Sequence, residues 1–413
     1  MGKEMDLISD KIAERLGGRD FGKATKIYKF VKIKQAKEEA KINHPERPLI
    51  DMGVGEPDKP ADSSIVEVLC KEAGKPENRW YSDNGIYEFQ EAAVEYLNKV
   101  YHLKDLNADN VIHGIGSKSI LAMLPLCFIN PGDVILATSP GYPIPATYTQ
   151  YLQGQVYSLP LRKDNCFYPD FSEIPQPIKN RAKLLYLNYP NNPTGQVGTA
   201  EFFKNVIKFA FENNVFVVMD AAYAALTFDG KPPLSFLSIE GAMEIGVEVH
   251  SLSKAFNMTG WRLAFVVGNP KIIKAYGMVK DNTDSGQFRA IQKAGIYALQ
   301  HPELTKINSE RYSRRFDLLV PVLRELGFDA QKPKGSFYCY VPAPKGTKSG
   351  LKFKNAEEVS EFLIREASIS TVPWDDAGPY LRFSVTFEAN DFEAEKRIVA
   401  EMKERLTGLE LIF

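Results

Sequence analysis

Short apolar runs alternate with longer amphipathic segments through the middle of the chain. The apolar runs are rich in Val, Ile, Leu, Met and Phe and end at Gly, Pro, Asn, Asp or Ser, which is typical of parallel strands covered on both faces. The segments between them have the spacing of amphipathic helices. The predicted strands are residues 111–113, 134–138, 184–188, 215–220, 247–251 and 263–267, and the predicted helices include 118–127, 200–213 and 271–279. This alternation predicts an α/β fold.

The pattern changes after about residue 300. It predicts a long helix over 303–326, a strand over 335–341, a helix over 356–366 and a strand over 381–386 before the last helix. That order is typical of a smaller α+β domain. Residues 1–50 are rich in Lys and Glu, with a helical period over 29–41, and we expect an arm that joins the small domain. We therefore divide the chain into 1–50, a large domain over 51–300 and a small domain over 301–413.

The composition of the 413 residues is that of an ordinary globular protein, with 44% hydrophobic and 25% charged side chains. Because 51 basic side chains balance 52 acidic ones, we expect neither nucleic acid nor an acidic membrane surface as a partner. Residues 1–18 have no apolar core of a signal peptide, and no run is long enough to span a membrane. These features predict a cytoplasmic protein.

The four cysteines predict neither a disulfide framework nor a metal site. Cys70, Cys127, Cys166 and Cys339 lie far apart and have neither CxxC nor metal-ligand spacing. We expect reduced thiols and no bound metal.

The segment from Ser251 to Arg262 is the most informative one for chemistry. A predicted strand ends in Ser-Leu-Ser-Lys, at Ser251, Ser253 and Lys254, and Gly-Trp-Arg follows, ending at Arg262. An amine, hydroxyls and a guanidinium in one small volume suit a phosphate ligand that carries an aldehyde. The lysine can condense with the aldehyde, while Ser251 and Arg262 bind the phosphate. By itself the pattern is more often an exposed lysine beside a structural arginine.

Two further motifs lie at the ends of predicted strands, NYPNNPTG over 188–195 and DAAY over 220–223. With Lys254, the Gly-x-Arg of Arg262 and a C-terminal arginine, they resemble the aspartate aminotransferase family of pyridoxal-phosphate enzymes, the class I and II aminotransferases of fold type I. The resemblance spans about residues 51–387. It implies a large domain whose mostly parallel sheet is flanked by helices, a smaller α+β domain, pyridoxal 5′-phosphate as cofactor and a homodimer with shared active sites.

The resemblance gives the ring of the cofactor its contacts. Lys254 would hold the cofactor and later move a proton, and Asp220 would pair with the ring nitrogen and keep it protonated. Tyr223 and Asn192 would donate hydrogen bonds to the ring oxygen, and Tyr142 would stack on the ring. Taken alone, Asp220 is as well explained as a helix N-cap. Tyr223 and Asn192 alone would be loop or packing residues, and Tyr142 a turn aromatic between two prolines.

A second phosphate-binding segment follows the strand at 111–113. Residues 113–119 read HGIGSKS and lead from a strand into a helix, so backbone N–H groups and the helix dipole would face an anion. It is neither a Walker A loop nor the GxGxxG of a dinucleotide site. By resemblance, Ser117 and Lys118 lie beside the phosphate.

The remaining expected contacts follow from the resemblance. Tyr81 would reach the phosphate from a second subunit, and Tyr28 resembles an N-terminal element of the LL-diaminopimelate aminotransferases. Arg382 would bind the substrate α-carboxylate with its guanidinium, next to Gly55, Asn192 and Tyr28. Ordinary explanations remain open, namely core tyrosines and a charge at a strand edge.

These features predict transfer of an amino group between an amino acid and a 2-oxo acid, with 2-oxoglutarate and glutamate as one pair. The MGVGEPD segment, Tyr28 and the length favour the LL-diaminopimelate aminotransferase branch, which serves lysine biosynthesis. Segments 82–85 and 282–286 depart from that branch, so an aspartate or broad-range aminotransferase remains open. A β-lyase of the same fold also remains open, because the residues that hold the ring do not fix which Cα bond breaks. A cofactor-sensing regulator is disfavoured by the absence of a helix-turn-helix domain, and a dehydrogenase by the missing GxGxxG.

Overall fold

A computed structural model describes residues 8–22 and 29–413. Its helices are α1 (Lys29–Asn43), α2 (Ser63–Ala73), α3 (Tyr87–Tyr101), α4 (Ser117–Phe128), α5 (Ile144–Tyr151), α6 (Gln176–Lys179), α7 (Ala200–Asn213), α8 (Ala242–Ile245), α9 (Leu252–Ala255), α10 (Pro270–Asp281), α11 (Arg289–Gln300), α12 (Glu303–Glu325), α13 (Ala356–Ala367) and α14 (Phe392–Thr407). Its strands are β1 (Ile50–Asp51), β2 (Val111–Gly114), β3 (Val134–Ser139), β4 (Gln155–Pro160), β5 (Ala182–Asn188), β6 (Phe216–Asp220), β7 (Gly246–Ser251), β8 (Ala264–Gly268), β9 (Tyr338–Pro342), β10 (Gly346–Thr347), β11 (Ile369–Ser370), β12 (Val372–Trp374), β13 (Tyr380–Ser384) and β14 (Leu411–Ile412).

Seven strands form one central sheet in the order β2-β8-β7-β6-β5-β3-β4, so the predicted α/β fold with a mostly parallel sheet is confirmed. Strand β8 runs antiparallel to both β2 and β7. The prediction that 263–267 is a parallel strand is therefore wrong. Only the short α9 and a turn separate β7 from β8, and a parallel partner needs a longer crossover connection.

The central sheet is covered on both faces. Along β5, Leu185 and Leu187 pack into one apolar cluster, while Leu184 and Tyr186 pack into another. Alternate residues of a strand point to opposite faces, so the two clusters lie on opposite sides of the sheet. Helices α3, α7 and α11 contribute to the first cluster and α4 and α10 to the second.

A third apolar cluster joins the C-terminal elements to the start of the chain. It combines α12, α13 and α14 with strands β9 and β13 of the antiparallel sheet β12-β13-β9. Strand β1 pairs in parallel with β11, and α1 packs on α13 through Ile33, Ala36, Ala40 and Ile364. Tyr223 and Leu226, just after β6, also belong to this cluster. The two parts therefore meet at the carboxyl end of β6, while the domain limits stay a prediction.

Within residues 8–22 and 29–413, no helix is both long and apolar enough to cross a membrane. The same residues contain no cluster of His, Cys, Asp and Glu side chains that could hold a metal ion. The four cysteines form no disulfide.

Candidate active site

Three neighbouring parallel strands end at one edge of the sheet and carry polar residues there. Asn188 ends β5, Asp220 ends β6 and Ser251 ends β7. The Asn188 side chain donates to the Asp220 carbonyl oxygen at 2.9 Å and accepts from the Asn192 backbone N–H at 2.8 Å. The sheet thereby brings together the motifs at 188–195, 220–223 and 251–254, as expected for a ligand site of an open α/β sheet.

Asp220 is a buried carboxylate with two hydrogen-bond donors. Its side chain is 5% exposed; Oδ2 accepts from the Tyr186 hydroxyl at 3.0 Å and Oδ1 from the Ala222 N–H at 3.2 Å. Burial raises the pKa of Asp220 to about 6, although the two hydrogen bonds and the nearby His250 oppose the rise. The structure begins no helix at this position, which disfavours the helix N-cap explanation.

Lys254 lies on the short helix α9 directly after β7. Its Nζ donates to the Gly55 carbonyl oxygen at 2.8 Å. Burial lowers the pKa of Lys254 to about 8; the Glu56 carboxylate acts in the opposite direction, and the Arg262 and Arg382 guanidinium groups lower it further. An amine with this pKa can act as a nucleophile and as a base near neutral pH.

Arg262 and the start of α4 form a compact cradle for an anion. A Cβ added at Gly116 would lie 2.1 Å from Arg262 Nη2, so the guanidinium rests against the glycine that precedes α4. Gly116 gives α4 no side-chain cap, and Ser117 and Lys118 are the first residues of the helix. Free N–H groups, a helix dipole and a guanidinium therefore converge, and this donor set fits a phosphate group.

The serines of the 251–254 motif lie beside this cradle. Ser251 caps α9, with its Oγ accepting from the Ser253 N–H at 3.2 Å. Arg262 Nη1 donates to Ser253 Oγ at 3.5 Å and to the Thr259 carbonyl at 2.8 Å.

Arg382 faces the site from β13 and is 7% exposed. Nη1 donates to Asn192 Oδ1 at 2.9 Å and Nη2 to the Gly53 carbonyl at 3.1 Å. Its buried Nε has no hydrogen-bond partner among the described residues. The guanidinium lies 4.0 Å from the centre of the Tyr338 ring. The Arg382 guanidinium can exchange these contacts for hydrogen bonds to a carboxylate that enters the site.

Gly55 leaves room beside Arg382. A Cβ at this position would lie 3.2 Å from the Tyr338 hydroxyl and 3.9 Å from Arg382 Nη2. The Tyr338 hydroxyl is also 3.2 Å from that of Tyr223. The two tyrosines, Gly55 and Arg382 thus line one wall of the site.

Of the remaining expected residues, the structure describes Tyr81 and Tyr142. Tyr81 is 78% exposed, and its carbonyl oxygen accepts from Arg289 Nη2 at 2.7 Å. Tyr142 is half-buried and packs against the apolar cluster on the α4 side of the sheet. Tyr28 lies outside the described residues.

Sequence reasoning missed Tyr186, Tyr338 and Glu56. Tyr186 was part of a predicted strand and Tyr338 part of another, but neither was assigned to the site. The signal for Tyr338 was the strand alternation of GSFYCYV, which places alternate residues on one face of the sheet. Glu56 lies in the MGVGEPD segment, which favours the family branch but gives this carboxylate no role of its own.

Comparison with known proteins gives consistent matches. The family model for aminotransferase class I and II matches residues 47–396. An LL-diaminopimelate aminotransferase of Methanocaldococcus jannaschii is 57% identical, with 98% of this chain and 99% of the relative covered. One of Methanococcus maripaludis is 55% identical, with the same coverage. Among solved structures, substrate-bound BacF from Bacillus subtilis has a TM-score of 0.85 at 32% identity and covers 96% of this chain and 98% of its own.

Proposed function

We propose that this chain, which belongs to the class I and II aminotransferases, exchanges an amino group between LL-diaminopimelate and 2-oxoglutarate in lysine biosynthesis. The observation that carries the proposal is the 57% identity, over 98% of the chain, to a relative named LL-diaminopimelate aminotransferase. The reaction class is that of the family: the chain is an aminotransferase that acts on amino and 2-oxo acids and uses pyridoxal 5′-phosphate.

The donor set described above fits this cofactor. When bound, it supplies a carbonyl that takes up the amino group and a ring that accepts electrons from the Cα–H bond. We propose that its phosphate is held by groups from α4, α9 and the Arg262 turn, with Tyr81 of a second subunit completing the set. Tyr142 would stack on the ring, Tyr223 and Asn192 would donate to its oxygen, and Asp220 would bind its nitrogen. The proposed phosphate ligands are Ser117, Lys118, Ser251, Ser253, Arg262 and Tyr81.

The protein's own groups would then move protons and orient the substrate. Lys254, with a pKa of about 8, has an unprotonated fraction near neutral pH and can take the proton from the substrate Cα. The Asp220 carboxylate holds a proton on the ring nitrogen from a buried position, where an opposite charge is strongly favoured. Arg382 exchanges its contacts with Asn192 and Gly53 for the α-carboxylate and fixes the Cα–H bond near Lys254.

A donor panel tests the substrate. We expect kcat/KM for glutamate formation from 2-oxoglutarate to be highest with LL-diaminopimelate, by at least about tenfold over aspartate. Lys254→Ala should be inactive with every donor. Equal kcat/KM with aspartate would favour a broad-range aminotransferase, and pyruvate released from cysteine without an acceptor would favour a β-lyase. Either result would contradict the proposed substrate.

We also propose a cytoplasmic homodimer with shared sites. Trp80, Tyr81 and Tyr87 are 57%, 78% and 61% exposed, and Tyr81 and Tyr87 line the same open groove. Exposed aromatic side chains in one patch are typical of a surface that binds a partner, and a two-fold interface would give each subunit the other's Tyr81. Cell fractionation tests the location.

Subunit mixing tests the shared site. Wild type is exchanged with a variant that carries both Tyr81→Phe and Arg382→Ala. If Tyr81 acts across the interface, one site of the mixed dimer lacks Arg382 and the other lacks the partner's tyrosine hydroxyl, so activity should fall below half of wild type. Activity of one half, or an active monomer in sedimentation, would contradict the proposal.

A further inference from the structure

Gln287 connects three segments around the anion cradle. Its Nε2 donates to the Trp261 carbonyl at 2.6 Å and to the Arg262 carbonyl at 2.9 Å. Its Oε1 lies 3.1 Å from His113 Nε2. Because the amide nitrogen is committed to two carbonyl oxygens, Oε1 is the acceptor and His113 donates. One side chain therefore links the Arg262 turn to the end of β2, three residues before Gly116.

The backbone of Gln287 is tied to the Tyr81 segment. Ser82 Oγ donates to the Gln287 carbonyl at 2.8 Å and accepts from the Gln287 N–H at 3.1 Å. Gln292 donates to the same Ser82 hydroxyl at 2.7 Å. The N–H groups of Ser82 and Asp83 also donate to the Ser285 carbonyl oxygen at 3.3 and 3.2 Å. Segments 82–85 and 282–286, which depart from the LL-diaminopimelate aminotransferase pattern, are therefore in direct contact.

A buried lysine anchors the same loop. Lys280 is fully buried on α10, and its Nζ donates to the Asp83 carbonyl at 2.6 Å and to Asp284 Oδ1 at 2.5 Å. The Asp284 carboxylate also accepts from the Gly286 N–H at 2.8 Å. The loop before Gln287 therefore has a fixed position relative to the sheet.

The Arg262 turn needs this support. Arg262 has a φ of 56°, in the left-handed region that is unfavourable for a side chain of this kind. Burial lowers the pKa of His113 to about 4, so its ring is neutral and donates one N–H at neutral pH. Loss of Gln287 would leave the Trp261 and Arg262 carbonyls and the His113 N–H without this partner, and the turn would be free to relax.

We infer that Gln287 is a positioning residue for the cofactor phosphate: it holds the Arg262 turn against Gly116 and couples it to the Tyr81 segment. Its side-chain hydrogen bonds go to Trp261, Arg262 and His113, so it acts through the geometry of Arg262. The inference rests on the proposed phosphate role of Arg262.

The test compares the affinity of the cofactor-free enzyme for pyridoxal 5′-phosphate with that for pyridoxal, which lacks the phosphate, by absorbance titration. Gln287→Met keeps length and packing but removes the hydrogen bonds. Gln287→Met removes three side-chain hydrogen bonds, and we expect affinity for pyridoxal 5′-phosphate to fall about tenfold while affinity for pyridoxal stays unchanged. Gln300→Met, the same change at an exposed position, should affect neither.

Two outcomes would overturn the inference: no loss of affinity, or an equal loss for both ligands, which a merely structural role would give. Arg262→Met should show the same selective loss, and the double variant should lose little more, because the two residues act as a unit; additive losses would also overturn it. If Gln287→Met does not fold, Ser82→Ala replaces it with the same criteria. If Arg262→Met lowers the affinities for pyridoxal 5′-phosphate and pyridoxal equally, the proposed phosphate role of Arg262 is itself refuted. The substrate proposal is tested separately, because a different preferred amino donor would leave all these affinities unchanged.

Discussion

Asparagine in place of Asp220 should make the cofactor-free enzyme more stable and the loaded enzyme less active. The Asp220 pKa rises on folding because the carboxylate loses its water. Asparagine is neutral and of the same shape. It can keep the bond from the Ala222 N–H and donate to the Tyr186 hydroxyl, so the change removes the buried charge and leaves the hydrogen bonds.

The sign and size follow from linkage. Because the folded pKa lies above the unfolded value, the carboxyl group's contribution to stability is complete below the unfolded pKa and lost as the pH rises through the folded one. A rise from 3.8 to about 6 corresponds to a cost of about 3 kcal/mol at pH 7.5. Asp220→Asn should therefore raise the free energy of unfolding by up to about 3 kcal/mol at pH 7.5 and by about half of that at pH 5.

Urea unfolding of cofactor-free wild type and variant at one protein concentration measures this difference. Asp164→Asn, at an exposed position, is the matched control and should change little. After loading, turnover of Asp220→Asn should fall by on the order of a hundredfold, since the variant lacks the charge proposed to face the ring nitrogen. A gain that does not depend on pH, or a loss of stability at pH 7.5, would refute the argument that burial alone raises this pKa.

Three further outcomes concern single residues. Lys254→Ala should abolish transamination without unfolding the protein. In wild type, the rate of reaction with pyridoxal should rise with pH through about 8, the pKa of Lys254. Borohydride reduction followed by peptide mapping should find the label on Lys254, and a label on another lysine would contradict its role. Arg382→Lys should raise KM for the donor at least about tenfold while cofactor affinity stays, since an ammonium group lacks the planar pair of N–H donors that matches the two oxygens of a carboxylate. Gly55→Ala should raise KM for the donor several-fold, because the added Cβ would lie 3.2 Å from the Tyr338 hydroxyl. An unchanged KM would mean that the Tyr338 side chain moves to make room for the methyl group.

The sequence was most informative where local pattern decides structure. The helix predicted over 200–213 coincides with α7, which Thr199 caps through the Phe202 N–H, and the buried strands coincide with apolar runs. Strand β4 was not predicted, because it lies at the sheet edge, where half-exposed positions give no apolar run. The direction of β8 was wrong because a strand buried on both faces has the same composition in either direction.

Contacts between distant segments could not be predicted. Arg315 is fully buried; it bonds Asp58 and Glu395 and donates to the carbonyls of Val385 and Phe387. This arginine ties the segment that leads into the site to the end of β13 and to α14. In the sequence, Arg315 looks like any charged residue of an amphipathic helix. Its burial could not be predicted, because it depends on three segments that are distant from it along the chain. The contacts of Gln287 could not be predicted for the same reason, and this glutamine belongs to no recognised sequence motif.

The two titrating groups of the site are both displaced toward their neutral forms, and by the same cause. Burial raises the pKa of Asp220 and lowers that of Lys254, and neither forms an ion pair with the other. The drop for Lys254 from 10.5 to about 8 is worth about 3 kcal/mol, comparable to the cost at Asp220. A ligand that brings a protonated ring nitrogen to the carboxylate and an aldehyde to the amine removes both costs at once. With the roles proposed for Asp220 and Lys254, the desolvation cost that destabilises the cofactor-free site becomes a source of cofactor affinity. Asp220→Asn removes about half of that cost, so the variant should bind the cofactor more weakly for the same reason that it unfolds less readily.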